Sequence, residues 1–247
     1  MANLVIDIGN TYTKAAIFEA GKLLRVEQYK TVELQLLNTL IAGDEIEKAM
    51  ISSVKKEKDS WEDELKTKTR VLYFTREMAK QIKNHYGTPQ TLGIDRLVAV
   101  MGAHCLYPGN DNLVIDAGTC ITYDYVDAGG NYYGGSISPG LQMRFKAMHN
   151  YTAALPLVNA DSNFGQMFGA DTESAILSGV QNGLKYELTG FIENYRNGKP
   201  QLNILLTGGD GIFFDTLLKN SIFAPYIKNE PYLVLQGLNA AIQQHND

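Results

Sequence analysis

The apolar positions in the first part of the chain follow the short, turn-bounded pattern of β-strands, with one helical stretch among them. Apolar runs predict strands over 3–6, 13–19 and 22–29, and a glycine-containing turn joins the last two into a hairpin. Leucine and isoleucine at helical spacing predict a helix over 32–41, and a strand follows at 49–54. We therefore expect the chain to open with a hairpin-rich sheet.

The next segment changes to helical patterns. Residues 55–70 are highly charged with few apolar positions, which predicts a helix exposed to solvent. A strand is predicted over 71–75, and a helix over 93–106 has one apolar stripe. That stripe consists of Leu97, Val100, Met101 and His104.

The second half of the chain again places a hairpin-rich block before helices. The block begins at 113–115 and continues to Gly135. The remaining predicted elements are a helix after Pro139-Gly140, a long helix over 172–195, a strand over 202–206 and helices near 213–219 and 235–245. The long helix has an apolar stripe formed by Ile176, Val180, Leu184, Leu188 and Ile192.

An internal repeat links the two halves. Residues 4–13 (Leu-Val-Ile-Asp-Ile-Gly-Asn-Thr-Tyr-Thr) resemble residues 113–122 (Leu-Val-Ile-Asp-Ala-Gly-Thr-Cys-Ile-Thr), and the two copies are 109 positions apart. Each copy has an apolar strand, an Asp, a Gly two residues later and a second strand. The repeat predicts a duplicated α/β domain, with one copy in residues 1–111 and the other in 112–247.

Composition and charge narrow the functional classes. The chain has 247 residues, of which 45% are hydrophobic, and a net charge of −5. These values are typical of a globular protein and leave no basic excess for a nucleic-acid backbone. Cys105 and Cys120 form no C-x-x-C pair and no zinc-ligand set with the four histidines.

Membrane and secretory signals are also missing from the sequence pattern. The best apolar stretch, 97–103, is far shorter than the ~20 residues of a membrane span. Asp7 interrupts the first apolar run, and no basic segment precedes that run, which argues against a signal peptide. We therefore expect a soluble, cytoplasmic protein with neither membrane nor nucleic-acid partners.

The repeated turns are suited to binding phosphate. In Asp7-Ile-Gly9-Asn10-Thr11 the glycine exposes backbone N–H groups, the next two residues add donors, and the carboxylate can hold a cation. Asp116-Ala-Gly118-Thr119-Cys120 repeats this arrangement, and two such turns could hold the phosphates of a nucleotide. A plain β-hairpin explains either copy alone, and neither G-x-x-x-x-G-K-[ST] nor G-x-G-x-x-G is present.

Three further segments leave alternatives open. Thr207-Gly208-Gly209 is either a close approach to a nucleotide or an ordinary strand-to-helix turn. The segment 134–140 is either a loop that closes over a ligand or a strand end followed by a helix start. In Gly93-Ile94-Asp95-Arg96, the Asp is either a carboxylate favoured at a helix start or a general base beside a carboxylate-binding Arg.

Together these motifs resemble those of type III pantothenate kinases. The matching segments, in the order of the family, are Asp7-x-Gly9-Asn10-Thr11, Gly93-x-Asp95-Arg96, Asp116-Ala-Gly118-Thr119, Gly134-Gly-x-Ile-x-Pro-Gly140 and Thr207-Gly-Gly209. Supporting matches lie at Thr152-Ala-x-Leu-Pro156 and Gly237-Leu238, so the resemblance spans essentially the whole chain. Cys120 departs from the family, which usually has alanine there.

The resemblance implies the fold of the acetate kinase, sugar kinase, heat-shock ATPase and actin superfamily. That is an α/β fold of two duplicated ribonuclease H-like domains, with the active site in the interdomain cleft. The implied activity is ATP-dependent phosphorylation of pantothenate to 4′-phosphopantothenate, the first step of coenzyme A biosynthesis. The implied cofactors are Mg²⁺ and a monovalent cation, K⁺ or NH₄⁺, and the implied assembly is a homodimer.

The resemblance also implies roles for individual residues. Asp95 would be the general base, Asp7 would orient Mg²⁺ through water, and Asp116 would bind K⁺. The implied ATP-binding residues are Asp7, Ile8, Gly9, Asn10, Thr11, Tyr12, Thr13, Lys14, Thr119, Gly208 and Gly209. The implied pantothenate-binding residues are Tyr86, Gly93, Ile94, Asp95, Arg96 and Thr172.

Two other functions stay open at this point. One is a kinase of the same superfamily that acts on another small hydroxy compound, against which the segments 93–96 and 134–140 argue. The other is a nucleotide-dependent regulatory protein. A member without turnover is expected to have lost one of its three motif carboxylates, yet Asp7, Asp95 and Asp116 are all present.

Overall fold

The first apolar run lies at the centre of a five-stranded mixed sheet in a computed structural model, which describes residues 2–54 and 59–244. The strands are β1 (Ala2–Ile8), β2 (Thr13–Glu19), β3 (Lys22–Tyr29), β4 (Ile46–Ser53) and β5 (Arg70–Tyr73). Their order is β3-β2-β1-β4-β5, with β1 antiparallel to β2 and parallel to β4. The predicted opening hairpins are confirmed.

Burial on both faces explains why the sequence of β1 is almost continuously apolar. Leu4, Ile6 and Ile8 belong to the core cluster on one face, while Val5 points to the other face and is also fully buried. The other elements before residue 108 are α1 (Leu34–Leu40), α2 (Ser60–Lys66), β6 (Lys83–Asn84), α3 (Ile94–Leu106) and short 3₁₀ turns at Arg76–Met78 and Pro89–Thr91.

The charged segment 55–70 is less solvated than its sequence predicts. Residues 55–58 lie outside the described part of the chain, and α2 begins at Ser60. Trp61 and Leu65 are buried in the core of the first sheet, so the prediction of a solvent-exposed helix is wrong for this face. Trp61 and Leu65 are buried because their helical spacing places them on one face of α2. The surrounding charged residues make this spacing hard to recognise in the sequence.

A second mixed sheet forms from the later strands. Its strands are β7 (Asn112–Ala117), β8 (Cys120–Val126), β9 (Asn131–Pro139), β10 (Asn203–Thr207) and β11 (Ile227–Asn229). Together with β6 their order is β11-β10-β7-β8-β9-β6, with β7 antiparallel to β8 and parallel to β10. The first residues of β9, 131–132, pair with β6.

The helices of this part confirm the predicted long helix and its stripe. They are α4 (Leu141–Asn150), α5 (Thr172–Leu177), α6 (Gly183–Arg196) and α7 (Gly211–Leu218), with a 3₁₀ turn at Ala224–Tyr226. A π turn at Ser178–Asn182 joins α5 to α6, so the helix is continuous over 172–196. Every residue of the predicted stripe is buried in the core of the second sheet.

The last helix, α8 (Leu233–Gln244), packs closely on α3. Glycines at the contact make this possible: a Cβ at Gly102 would overlap the Leu233 carbonyl oxygen, and one at Gly237 would overlap that of Val98. The sequence predicts this helix over 235–245, of which His245 lies outside the described residues.

Contacts divide the chain into two compact units. The first consists of Met1–Pro108, Gly130–Tyr132 and Tyr232–Asp247, and the second of Gly109–Gly129 and Tyr133–Pro231. The division into domains 1–111 and 112–247 stays a prediction, and the contacts add that α8 packs with the first unit. Over residues 2–54 and 59–244, none of the helices combines the length and the hydropathy needed to cross a membrane.

Candidate active site

The Asp7 turn (residues 7–12) lies between β1 and β2 in the first unit. Ile8 pairs with Thr13, and the N–H of Gly9 donates to the carbonyl oxygen of Tyr12 at 3.1 Å, which closes a four-residue loop. Asn10 and Thr11 are exposed at its tip, while Thr13 is buried. The exposed tip therefore offers donors at Asn10 and Thr11, whereas the N–H of Gly9 is used within the turn.

The sheet register places other polar residues beside Asp7. Lys14 lies opposite it on β2, and Ser52 lies opposite it on β4. Paired residues on neighbouring strands direct their side chains to the same face of the sheet. A carboxylate, an ammonium group and a hydroxyl group thus share one sheet face at the end of β1.

The carboxylate of Asp95, at the start of α3, occupies space that is free because residue 93 is glycine. Gly93 is the N-cap residue, and Asp95 lies in the first turn, where its Oδ1 accepts the N–H of Arg96 at 2.9 Å. A Cβ at position 93 would overlap Oδ1 of Asp95. The positive end of the helix favours a negative group here, so the structure fits both alternatives for Asp95.

Arg96 and Tyr86 lie together next to this turn. The guanidinium carbon of Arg96 is 5.7 Å from the ring centroid of Tyr86, within the range of a cation–π contact. The ring of Tyr86 stacks on that of Tyr132, with 6.5 Å between centroids. Arg96 is 6% exposed, so its charge is presented in a restricted direction. The structure thus brings together residues that lie ten positions apart in the sequence.

Arg76 supports this part of the site, although no sequence motif predicts it. Its Nη2 donates to the carbonyl oxygens of Gln90 at 3.1 Å and Leu92 at 2.7 Å, directly before Gly93. Its Nε is buried and has no hydrogen-bond partner among the described residues. Arg76 therefore fixes the backbone that leads into the first turn of α3, which contains Asp95. The local sequence holds no signal for this, because both acceptors are backbone atoms.

In the second unit, the turn after β7 meets the turn after β10. Asp116 pairs with Thr207 in the parallel register, and the N–H of Asp210 donates to the carbonyl oxygen of Ala117 at 2.9 Å. Gly208 has a φ of +88°, and a Cβ there would overlap both Oδ1 of Asp116 and the Ala117 oxygen. Ligands of α/β sheets bind at the carboxyl ends of such strands.

The start of α4 rests on the Asp116 turn (residues 116–120). Gly140 is the N-cap residue of α4, and its N–H donates to the carbonyl oxygen of Thr119 at 3.1 Å. A Cβ at Gly140 would overlap the Gly118 oxygen. Since β9 runs to Pro139, the segment 134–140 is a strand end followed by a helix start, which confirms the second of its two alternatives.

A polar network surrounds Glu187 on α6. Its Oε1 accepts from the Ser138 hydroxyl at 2.6 Å and the Tyr123 hydroxyl at 2.9 Å, and its Oε2 accepts from Arg144 at 2.6 Å. Burial raises the pKa of Glu187, but these three hydrogen bonds and the charge of Arg144 outweigh it and hold the pKa below its usual 4.5. The carboxylate therefore stays ionised.

Two further residues of the second unit lie near strand or helix ends. Asp210 is half-buried at the N-cap position of α7, and burial raises its pKa. Thr172 is exposed at the first position of α5, whose N-cap Asp171 accepts the N–H of Ser174 at 2.8 Å. Thr172 belongs to the second unit, whereas Tyr86 and Gly93–Arg96 belong to the first.

The Asp7 and Asp116 turns each offer few oxygen ligands, so they suit cations that are also bound by other ligands such as water or phosphate. No group of three or more His, Cys, Asp or Glu side chains is placed to hold a metal ion within residues 2–54 and 59–244. Oδ1 of Asp116 and the carbonyl oxygen of Ala117 nevertheless converge on the space that Gly208 keeps free of a side chain. A single carboxylate of this kind can bind a Mg²⁺ ion whose other ligands are mostly water and phosphate. It can also bind a cation that is coordinated by carbonyl oxygens.

Known proteins resemble this chain over nearly its full length. The family model described as type III pantothenate kinase matches residues 3–194. A type III pantothenate kinase of Bacteroides fragilis (strain YCH46) is 44% identical over 245 residues, which cover 99% of this chain and 98% of that protein. The type III pantothenate kinase of Flavobacterium johnsoniae is 43% identical over 227 residues, or 90% of this chain and 91% of its own length.

Among solved structures, the activator of the 2-hydroxyisocaproyl-CoA dehydratase from Clostridium difficile, with bound ADPNP, has a similar fold. Its TM-score is 0.56 at 12% identity, and the match covers 100% of this chain and 96% of that one. Likeness at this level of identity shows the fold alone. The α/β fold of the actin-like ATPases and the family resemblance, both predicted from the sequence, are confirmed.

Proposed function

Because the chain belongs to the type III pantothenate kinase family, we propose that it transfers the γ-phosphoryl group of ATP to the primary hydroxyl of pantothenate. The product is 4′-phosphopantothenate, and the reaction is the first step of coenzyme A biosynthesis. The observation that carries the proposal is the cluster of Asp95, Arg96 and Tyr86 at the start of α3. This cluster supplies a base for a hydroxyl and a cation for a carboxylate.

Asp95 is the proposed general base. Phosphoryl transfer passes through a loose transition state, so the enzyme contributes mainly by positioning the groups and by neutralising charge. Oδ1 of Asp95 accepts the N–H of Arg96, which fixes the carboxylate and leaves Oδ2 to accept the proton of the substrate hydroxyl. The positive end of α3 attracts the negative charge of a carboxylate at this position.

Arg96 is the proposed partner of the pantothenate carboxylate. A guanidinium group binds a carboxylate through two parallel hydrogen bonds, and contact with the Tyr86 ring restrains the plane of the group. The family resemblance adds Gly93, Ile94 and Thr172 as further contacts of this substrate. Fixing the substrate at its carboxylate would direct the hydroxyl end toward Asp95.

The nucleotide is proposed to bind through the turns at the strand ends. Residues 7–14, Thr119, Gly208 and Gly209 would line its phosphates, and Asn10 and Thr11 at the exposed tip of the Asp7 turn would supply backbone and side-chain donors. Asp7 would hold Mg²⁺ through water, and Asp116 would hold K⁺ or NH₄⁺. When bound, these cations would neutralise charge on the phosphates.

A homodimer and a cytoplasmic location belong to the same proposal, since the family resemblance implies both. Large exposed apolar side chains of the second unit support an interface. Tyr151, Met167 and Phe168 are 90%, 80% and 75% exposed.

The test is ADP release from Mg-ATP, measured with and without pantothenate in K⁺ and in Na⁺ buffers. The proposal predicts release that requires pantothenate and is faster in K⁺. Asp95→Asn should remove it, whereas Asp63→Asn, at an exposed carboxylate of the same unit, should not. Release that ignores pantothenate in both buffers would contradict the proposed substrate.

A further inference from the structure

We propose that Glu187 is a positioning residue for the Asp116 turn, on which it acts through Ser138, Arg144 and the start of α4. The inference rests on the proposed function, in which Thr119 of that turn binds the nucleotide. Glu187 lies on α6, outside every motif that the sequence analysis identified.

Glu187 fixes the end of β9 through two hydrogen bonds. It accepts from the Ser138 hydroxyl at 2.6 Å and from Arg144 at 2.6 Å. Arg144 also donates from Nε to the carbonyl oxygen of Pro139 at 2.9 Å and from Nη2 to the Ser138 oxygen at 2.7 Å. One carboxylate and one guanidinium thus hold two consecutive residues of the strand end.

The end of β9 is in direct contact with the Asp116 turn. Gly140 follows Pro139 directly, and its N–H donates to the carbonyl oxygen of Thr119 at 3.1 Å. The two backbones are so close that a Cβ at Gly140 would overlap the Gly118 oxygen. Because no side chain separates them, a shift of the strand end moves the turn with it.

The packing of α6 does not depend on the Glu187 network. Helix α6 is held to the core by Leu184, Leu188 and Ile192, each fully buried, whether or not residue 187 is charged. Glu187 and Arg144 are each only about four-fifths buried, with 23% and 22% of their side chains exposed. The network therefore orients the connection between β9 and α4, and it is not what anchors α6 in the hydrophobic core.

Glu187→Gln tests the inference, since it keeps the side-chain size and places an NH₂ group where an oxygen accepts a hydrogen bond. We expect Glu187→Gln to raise the KM for ATP about five- to tenfold, because charge-assisted hydrogen bonds are lost. The Kd for ADP, measured by calorimetric titration, should rise by the same factor. The KM for pantothenate should stay within twofold. Glu193→Gln, an exposed residue of the same helix, is the matched control and should leave all three constants unchanged.

Tyr123→Phe is the second variant, because it deletes one donor to Glu187 and keeps the buried ring. It should raise the same two nucleotide constants by a smaller factor, and it tests the inference even if Glu187→Gln fails to fold. Equal increases in both KM values, or an unchanged Kd for ADP, would overturn the positioning role. The ADP titration needs no pantothenate, so its outcome is separate from that of the proposed reaction.

Discussion

Gly93→Ala isolates the position of the proposed base. The φ and ψ of Gly93, −58° and 133°, suit alanine, so the substitution causes no backbone strain. The new Cβ overlaps Oδ1 of Asp95, and the carboxylate must withdraw by about 1 Å to regain the 3.4 Å of an ordinary contact. Displacements of this size cost roughly a hundredfold in rate when a reacting group is misplaced.

The expected result is therefore a kcat reduced by about ten- to a hundredfold, with a melting temperature close to that of the wild type. Initial rates of pantothenate-dependent ADP release give kcat, and circular dichroism gives the melting temperature. Gly190→Ala is the control, since a Cβ there meets nothing within 4 Å. A folded Gly93→Ala protein with wild-type kcat would refute the idea that Gly93 is kept to place Asp95.

Four other changes test separate parts of the account. Arg96→Ala should raise the KM for pantothenate about tenfold or more and the KM for ATP little, and the opposite split would remove its carboxylate role. Asp116→Ala should abolish activation by K⁺ over Na⁺, so retained activation would place that cation elsewhere. Gly208→Ala should cost about 1–3 kcal/mol of unfolding free energy, measured in urea, because φ is +88° and the Cβ overlaps Asp116. Because Glu187 has a lowered pKa, its stabilisation is present above its unfolded pKa, near 4.5, and is lost as pH falls. The melting-temperature difference between wild type and Glu187→Gln should thus shrink from pH 7 to pH 4, and a constant difference would contradict this.

Local signals account for the elements that the sequence predicted well. The turn between β2 and β3 needs positive φ, and Ala20 and Gly21 adopt 48° and 80° there. The stripe of the long helix follows from its 3.6-residue period. The Asp7 and Asp116 turns were found because their patterns repeat, and a repeat is visible without any knowledge of tertiary contacts.

Contacts between distant segments account for what the sequence did not predict. Gly134 and Gly135 suggested a loop as readily as a strand, yet a Cβ at Gly135 would overlap the Tyr123 oxygen, so glycine is required inside β9. Arg144 and Glu187 meet although 43 positions separate them. Arg76 supports the Asp95 turn through backbone acceptors, to which a sequence pattern gives no clue.

The most direct test of the account is to look for the product itself. Purified protein is incubated with Mg-ATP, K⁺ and pantothenate, and 4′-phosphopantothenate is measured by mass spectrometry for the wild type, Asp95→Asn and Asp63→Asn. We expect phosphorylated product from the wild type and Asp63→Asn, and almost none from a folded Asp95→Asn protein that still binds ADP. Equal product from all three proteins would contradict the role of Asp95, and no product from the wild type would contradict the reaction.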